Sequence, residues 1–193
     1  SFFIITILIS SFIMSDNMTI QTNSGITKGV VKNGVVTWND IPYALPPTND
    51  LRWRAPRSFV NLNKVIKNLD TNYCVQESSN LGGIRSDKKI VGSEDCLYLD
   101  IKAPKNLSSS SNLPVMFWIH GGGNVSGLKD IYDFSKFVKK HKVIVVTINY
   151  RLGPFGWFTH PEIQDKQKGE DKTSNFGTLD IISALKWTKN NIE

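Results

Sequence analysis

The stretch Val115-Met116-Phe117-Trp118-Ile119-His120-Gly121-Gly122-Gly123 carries the most information in the chain. Five apolar side chains in an unbroken run, closed by a turn, suit a strand of a sheet covered on both faces. The glycines that follow let backbone N–H groups approach a bound oxygen without interference from a Cβ. Three readings are open at this point: donors for the oxyanion of an acyl-transfer intermediate, a phosphate cradle, or a purely structural turn. Spacing counts against the cradle. After Gly121 and Gly123, Ser126 stands where G-x-G-x-x-G requires glycine. Gly122 and Gly127 have the phosphate-loop separation, but Leu128-Lys129 replaces its Lys-Ser/Thr.

Working outward, Val143 to Ile148 is a second continuous apolar run. Ile131, Phe134 and Val138 recur at helical spacing between the two runs, and Ile181, Ala184, Leu185, Thr188 and Ile192 do so near the end. Upstream, Leu97 to Ala103 reads as a strand. Gly25 to Lys32 and Val35 to Trp38 flank Asn33-Gly34, a strong two-residue hairpin signal. Pro42, Pro46, Pro47 and Pro56 break up the next stretch, and Tyr73 to Ser93 reads as a polar loop. Strand, helix, strand, loop, helix is the alternation of an α/β sheet. Of the two apolar runs, Val143 to Ile148 is expected to be the one left with an unpaired, aggregation-prone edge.

The chain has 193 residues and a net charge of +6, from 23 Lys+Arg against 17 Asp+Glu. The lysines are scattered, and the densest group, Lys139, Lys140 and Lys142, lacks any nucleic-acid motif; a solvated basic face is expected. Residues 1–14 are almost wholly apolar and too short for a comfortable membrane span, and they read as the remnant of a secretory signal, with a buried strand or a signal anchor as the alternative. In that compartment Cys74 and Cys96 read as one disulfide, with two buried free thiols as the alternative. Sequons begin at Asn17, Asn106 and Asn124, with Asn106 the favoured glycosylation acceptor beside a Ser-rich turn.

Several blocks together resemble the type-B carboxylesterase/cholinesterase family: Ile41-Pro42-Tyr43-Ala44, Leu51-Arg52-Trp53, Glu94-Asp95-Cys96-Leu97-Tyr98-Leu99-Asp100, Trp118 to Gly123, Asn149 to Gly156, and Asn175-Phe176-Gly177 with Ala184-Leu185-Lys186-Trp187. The resemblance implies a partial α/β-hydrolase fold over residues 19–193, a small N-terminal antiparallel sheet leading into a central, mostly parallel one. It implies that Gly122 and Gly123 donate to the oxyanion, that Cys74 and Cys96 form a disulfide, and that Arg52 and Glu94 form a clamping, buried salt bridge. His120 then shapes the loop and is not the catalytic base. The activity implied is ester hydrolysis through an acyl-serine, with a small-molecule ester as partner, no cofactor and no metal; His120, His141 and His160 lack ligand spacing.

The chain also departs from the family pattern. Asp40 stands at a usual glycine, Asn124 at a common aromatic, Ser174 at a usual glycine and Ile181 at a usual glutamine. The segment between Cys74 and Cys96 has no aromatic to hold a quaternary ammonium, which argues against choline esters. No G-x-S-x-G elbow occurs, so the chain reads as the part before the nucleophile and is expected to be inactive alone. Asp40, Asp95 and Asp180 are expected in caps or ion pairs. A non-catalytic, cholinesterase-like adhesion protein and a truncated product are the alternatives.

Overall fold

A computed structural model describes residues 18–69, 72–80, 82–108 and 111–192. The apolar residues 1–14 and the sequon asparagine Asn17 lie outside the described residues. Strands β1 (Thr19–Thr22) and β2 (Gly25–Lys28) form an antiparallel pair of their own. The run expected as one strand from Gly25 to Lys32 divides at Gly29, where a Cβ would come within 2.4 Å of Val36 and 2.8 Å of the Trp38 indole. Beyond the break, β3 (Val30–Lys32) pairs with β4 (Val35–Pro42) across Asn33 and Gly34, whose φ angles of 52° and 82° are both positive as a two-residue hairpin turn of this hand requires.

The short β5 (Gln76–Glu77) and β6 (Ile90–Val91) pair within the polar loop. Then come β7 (Tyr98–Pro104), β8 (Val115–Ile119), helix α1 (Ser135–His141) and β9 (Ile144–Ile148). The short helices α2 (Gly153–Gly156) and α3 (Pro161–Gln164) precede the long α4 (Phe176–Asn191). The main sheet has the order β3-β4-β7-β9-β8. Its pairs are antiparallel except β8–β9, where the parallel part of the sheet begins. That parallel step, joined through α1, is what carries the glycine run to the carboxyl end of the sheet.

Against expectation, the strand at Val143 to Ile148 is not left unpaired: β9 is hydrogen-bonded to β7 on one side and β8 on the other, and all five of its residues are buried. The outer strand is β8, with Val115 and Ile119 41% and 43% exposed. Both runs are almost equally apolar, so hydropathy alone could not rank them by position.

The sheet is covered on both faces. Ile144, Val146 and Ile148 of β9 pack with Trp38, Ile41, Leu99 and Ile101 against Ala184 and Trp187 of α4. Val145, pointing the opposite way, joins Val35 and Val138 of α1. Helix α1 closes on Lys142 in the left-handed region (φ 51°), with Lys139, Lys140 and His141 in its last turn, where cations suit the carboxyl end of a helix. On α4 the buried stripe is Phe176, Gly177, Asp180, Ala184, Trp187 and Thr188. Leu185, expected on the buried face, is 44% exposed, because the stripe is centred on the buried charge of Asp180.

Candidate active site

The end of β8 is set by what happens to His120. Its ring is buried and stacks on Tyr150, with centroids 4.4 Å apart and planes 16° from parallel. Its carbonyl accepts the Tyr150 hydroxyl at 2.9 Å, and its Nδ1 meets the Gly121 carbonyl at the same distance. Burial lowers its pKa, opposed by that backbone contact, so the ring is neutral at pH 7. With the ring turned inward, His120 fixes the base of the loop.

From this anchor the backbone enters three successive positive φ angles: Gly122 at 110°, Gly123 at 61° and Asn124 at 62°. The value at Gly122 is closed to side chains, and a Cβ there would meet the Ser126 carbonyl at 2.0 Å. The Gly122 carbonyl is turned back into the loop and accepts from the Val125 and Ser126 N–H groups at 3.1 and 3.2 Å. The Gly122 and Gly123 N–H groups take no acceptor among the described residues, and Gly121 to Val125 are exposed. The far side of the loop, Val125 and Ser126, lines an open cavity of about 840 Å³ together with Pro154 and Phe155 from the segment after β9 and Gln76 and Ile90 from the disulfide loop. The Asn124 carbonyl is fixed across the loop by the Gly153 N–H at 2.7 Å.

The disulfide loop is closed by Cys74 and Cys96, 22 residues apart with a Cα–Cα distance of 5.0 Å. Gln76 within it brackets Gly127, accepting its N–H at 2.8 Å and donating to its carbonyl at 2.9 Å. Arg52 and Glu94 form a two-pronged ion pair, each contact 2.5 Å. The pair expected to be buried is half-exposed, with the Arg52 and Glu94 side chains at 38% and 22%. Solvent on that side weakens it, and a stacked Trp53–Phe158 pair (4.8 Å) with the Trp53 indole on the Pro154 carbonyl (2.8 Å) shares the clamping of this block.

Two charged groupings had not been resolved from the residues alone. Arg151 and Asp180 form a fully buried, two-pronged pair at 2.8 and 2.7 Å, and Asp180 also accepts the Arg151 N–H at 3.1 Å. An acid in the middle of an otherwise apolar helical stripe was the available signal. The second centres on Lys129, whose side chain is 1% exposed and whose ammonium lies 3.0 Å from Asp40, 2.8 Å from Asp100 and 3.0 Å from Asp130. Asp40 has φ 57° at a register shift in β4 between Trp38 and Ile41, a bulge position where glycine is at ease. Asp40 and Asp180 thus both sit in ion pairs, and Asp95 accepts the Tyr98 hydroxyl at 2.7 Å.

A mixed α/β sheet, a helix on each face and a glycine loop at the carboxyl end of a parallel strand define an α/β-hydrolase architecture in its N-terminal part. The chain belongs to the carboxylesterase family, whose model matches residues 16–193. It is 40% identical over 175 residues to a para-nitrobenzyl esterase of Bacillus subtilis, covering 90% of this chain and 34% of that protein. It is 38% identical over 181 residues to the cAMP-regulated D2 protein of Dictyostelium discoideum, covering 92% and 32%. Among solved structures, a thermophilic PNB esterase superposes with a TM-score of 0.77 at 38% identity, covering 91% of this chain and 35% of the other. A Geobacillus stearothermophilus carboxylesterase gives 0.74 at 33%, again over 91% and 35%. The chain therefore spans about a third of the length of the relatives it matches. Among the described residues no helix is long and apolar enough to cross a membrane.

Proposed function

We propose that these 193 residues are the N-terminal portion of a serine carboxylesterase, and that the Gly122 and Gly123 amides bind the oxyanion of its tetrahedral intermediate. The observation that supports this is a pair of exposed glycine N–H groups without an acceptor among the described residues, at the carboxyl end of β8 in a loop whose Val125 and Ser126 line an open cavity. In the reaction, a serine hydroxyl supplied by residues C-terminal to this segment attacks the ester carbonyl carbon, and the carbonyl oxygen takes up the negative charge. Two N–H donors held by a fixed loop would stabilise that oxygen with little reorganisation, each worth roughly 3 to 4 kcal/mol. Collapse expels the alcohol and leaves an acyl-serine for water to hydrolyse.

The substrate is a small carboxylic ester other than a choline ester. The disulfide is compatible with an oxidising compartment, and the reading extends to export by residues 1–14 and glycosylation at Asn106, which is exposed. The test is to express the complete reading frame and offer it a short-chain aryl ester and an organophosphate. Hydrolysis and labelling are expected; a folded product that does neither sinks the proposal. Gly122→Ala should lower kcat roughly 100-fold, as the new Cβ collides with the Ser126 carbonyl and turns the donors away. A glycine or alanine in place of the nucleophile downstream would instead favour a non-catalytic binding protein, a reading with which the departures at Asp40, Asn124 and Ile181 are compatible.

A further inference from the structure

The loop from His120 to Asp130 is exposed in the middle and tied down at both ends. His120 holds the start against Tyr150, and Gln76 brackets Gly127 near the end. The last tie is Lys129. Its N–H donates to Asn149 Oδ1 at 2.8 Å, and its ammonium is drawn among Asp40 of β4, Asp100 of β7 and the neighbouring Asp130. We propose that Lys129 is a positioning residue for the oxyanion loop, and that this buried ion cluster is the latch holding the Gly122–Gly123 turn at the end of β8. The inference rests on the reading of those glycines as oxyanion donors.

Three carboxylates around one ammonium leave two negative charges in excess, and Asp40 and Asp100 are almost out of reach of water. Excess buried charge is costly, and a proton between neighbouring carboxylates relieves it. Desolvation pushes the Asp100 carboxyl up to about 8 against the pull of Lys129. Asp130, which desolvation would also raise, is held below the usual carboxylate range by its hydrogen bond with Asp100 and by Lys129. The other groups around the cluster do not supply the missing charge. Asn72 donates to Asp40 at 2.6 Å and Asn149 is neutral, Thr147 of β9 lies opposite Asp100, desolvation keeps the Tyr98 phenol protonated, and Lys64 and Lys67 line a cavity on the outer side of Asp40. The folded protein thus holds a proton that the unfolded chain has released above the ordinary carboxylate range. The stability this contributes is complete below the unfolded value and is lost as pH rises through about 8.

The test uses the complete protein. Asp40→Asn with Lys129→Met removes one negative and one positive charge together, so the excess is unchanged and folding is expected to survive. Amide exchange over residues 121–127 should quicken roughly tenfold or more. Aryl-ester kcat should fall roughly 10- to 100-fold with a smaller change in KM. The parent protein should loosen over residues 121–127 as pH rises through about 8, and Asp100→Asn, which imitates the protonated acid, should not; a parent loop unchanged across that range overturns the proposal. A folded double variant with parental exchange in this loop overturns the proposal. Should the double variant fail to fold, Asp100→Asn decides: an alkaline loosening equal to the parent's overturns the latch, and its absence supports it. If the parent protein hydrolyses no ester, the esterase reading fails while the exchange measurements still decide the latch.

Discussion

Strands β8 and β9 are each five residues long, almost equally apolar, and paired with one another in parallel register from Val115–Ile144 to Ile119–Ile148. Yet β9 is buried at every position, while β8 is exposed at both ends and partly open between. The difference is entirely one of neighbours: β9 has β7 on its far side, and β8 has no second strand among the described residues. An apolar run therefore states that a segment belongs in a sheet, and the pairing partners decide how much water it sees. The outer strand is also the one that leads into the candidate oxyanion loop, so the proposed chemistry falls at the half-open part of the sheet, next to its closed part.

Placing a charge in each strand breaks this comparison most sharply. Val146→Asp, at a fully buried site between Ile101 and Phe117, should cost at least about 4 kcal/mol and abolish cooperative unfolding in denaturant melts. The next effect concerns the cover over β9. Arg151, just past its end, is buried against Asp180 of α4, and Arg151→Ala should cost roughly 3 to 5 kcal/mol by chemical denaturation, since it strands a carboxylate away from water. Removing Arg52, whose ion pair with Glu94 is half-exposed, should shift the midpoint far less and lose much of that in high salt. Replacing both Cys74 and Cys96 by Ser should lower stability by roughly 3 kcal/mol, the loop-closure value for a bridge of this span, and should loosen the Gln76 bracket on the β8 side more than β9. Smallest in free energy are Val115→Lys and Ile119→Lys on the outer strand. Each should stay within about 0.5 kcal/mol in the melt, yet raise the soluble fraction of the isolated 193-residue chain, where an open apolar edge invites self-pairing. Equal damage from Val146→Asp and Val115→Lys would show that the two strands are alike after all.

Much of the element order was legible. The Asn33-Gly34 turn, the strands at Val115 to Ile119 and Leu97 to Ala103, and a long helix before Ile192 all follow from patterns a few residues wide. Boundaries moved where a distant part intruded: the β2–β3 break at Gly29 exists because Val36 and Trp38 pack against it. The helical face at α4 was misplaced at Leu185 because periodicity counts apolar residues, and Asp180 is buried for its charge. The site divides the same way. The glycine run is visible in the chain, whereas Lys129 looked like no more than a failed phosphate-loop lysine until Asp40 and Asp100 were brought to it from 89 and 29 positions away.

By itself the amino-acid sequence determined the main strands and the long helix, where the backbone must turn through glycine, and to which family the motifs point. Those properties arise from steric and hydropathic preferences acting over a few residues. Which apolar strand is the outer one, which face of α4 turns inward, and which carboxylates surround Lys129 were decided only by the tertiary structure. Each of these is a contact between segments tens of residues apart, and its energy exists only once the sheet has closed.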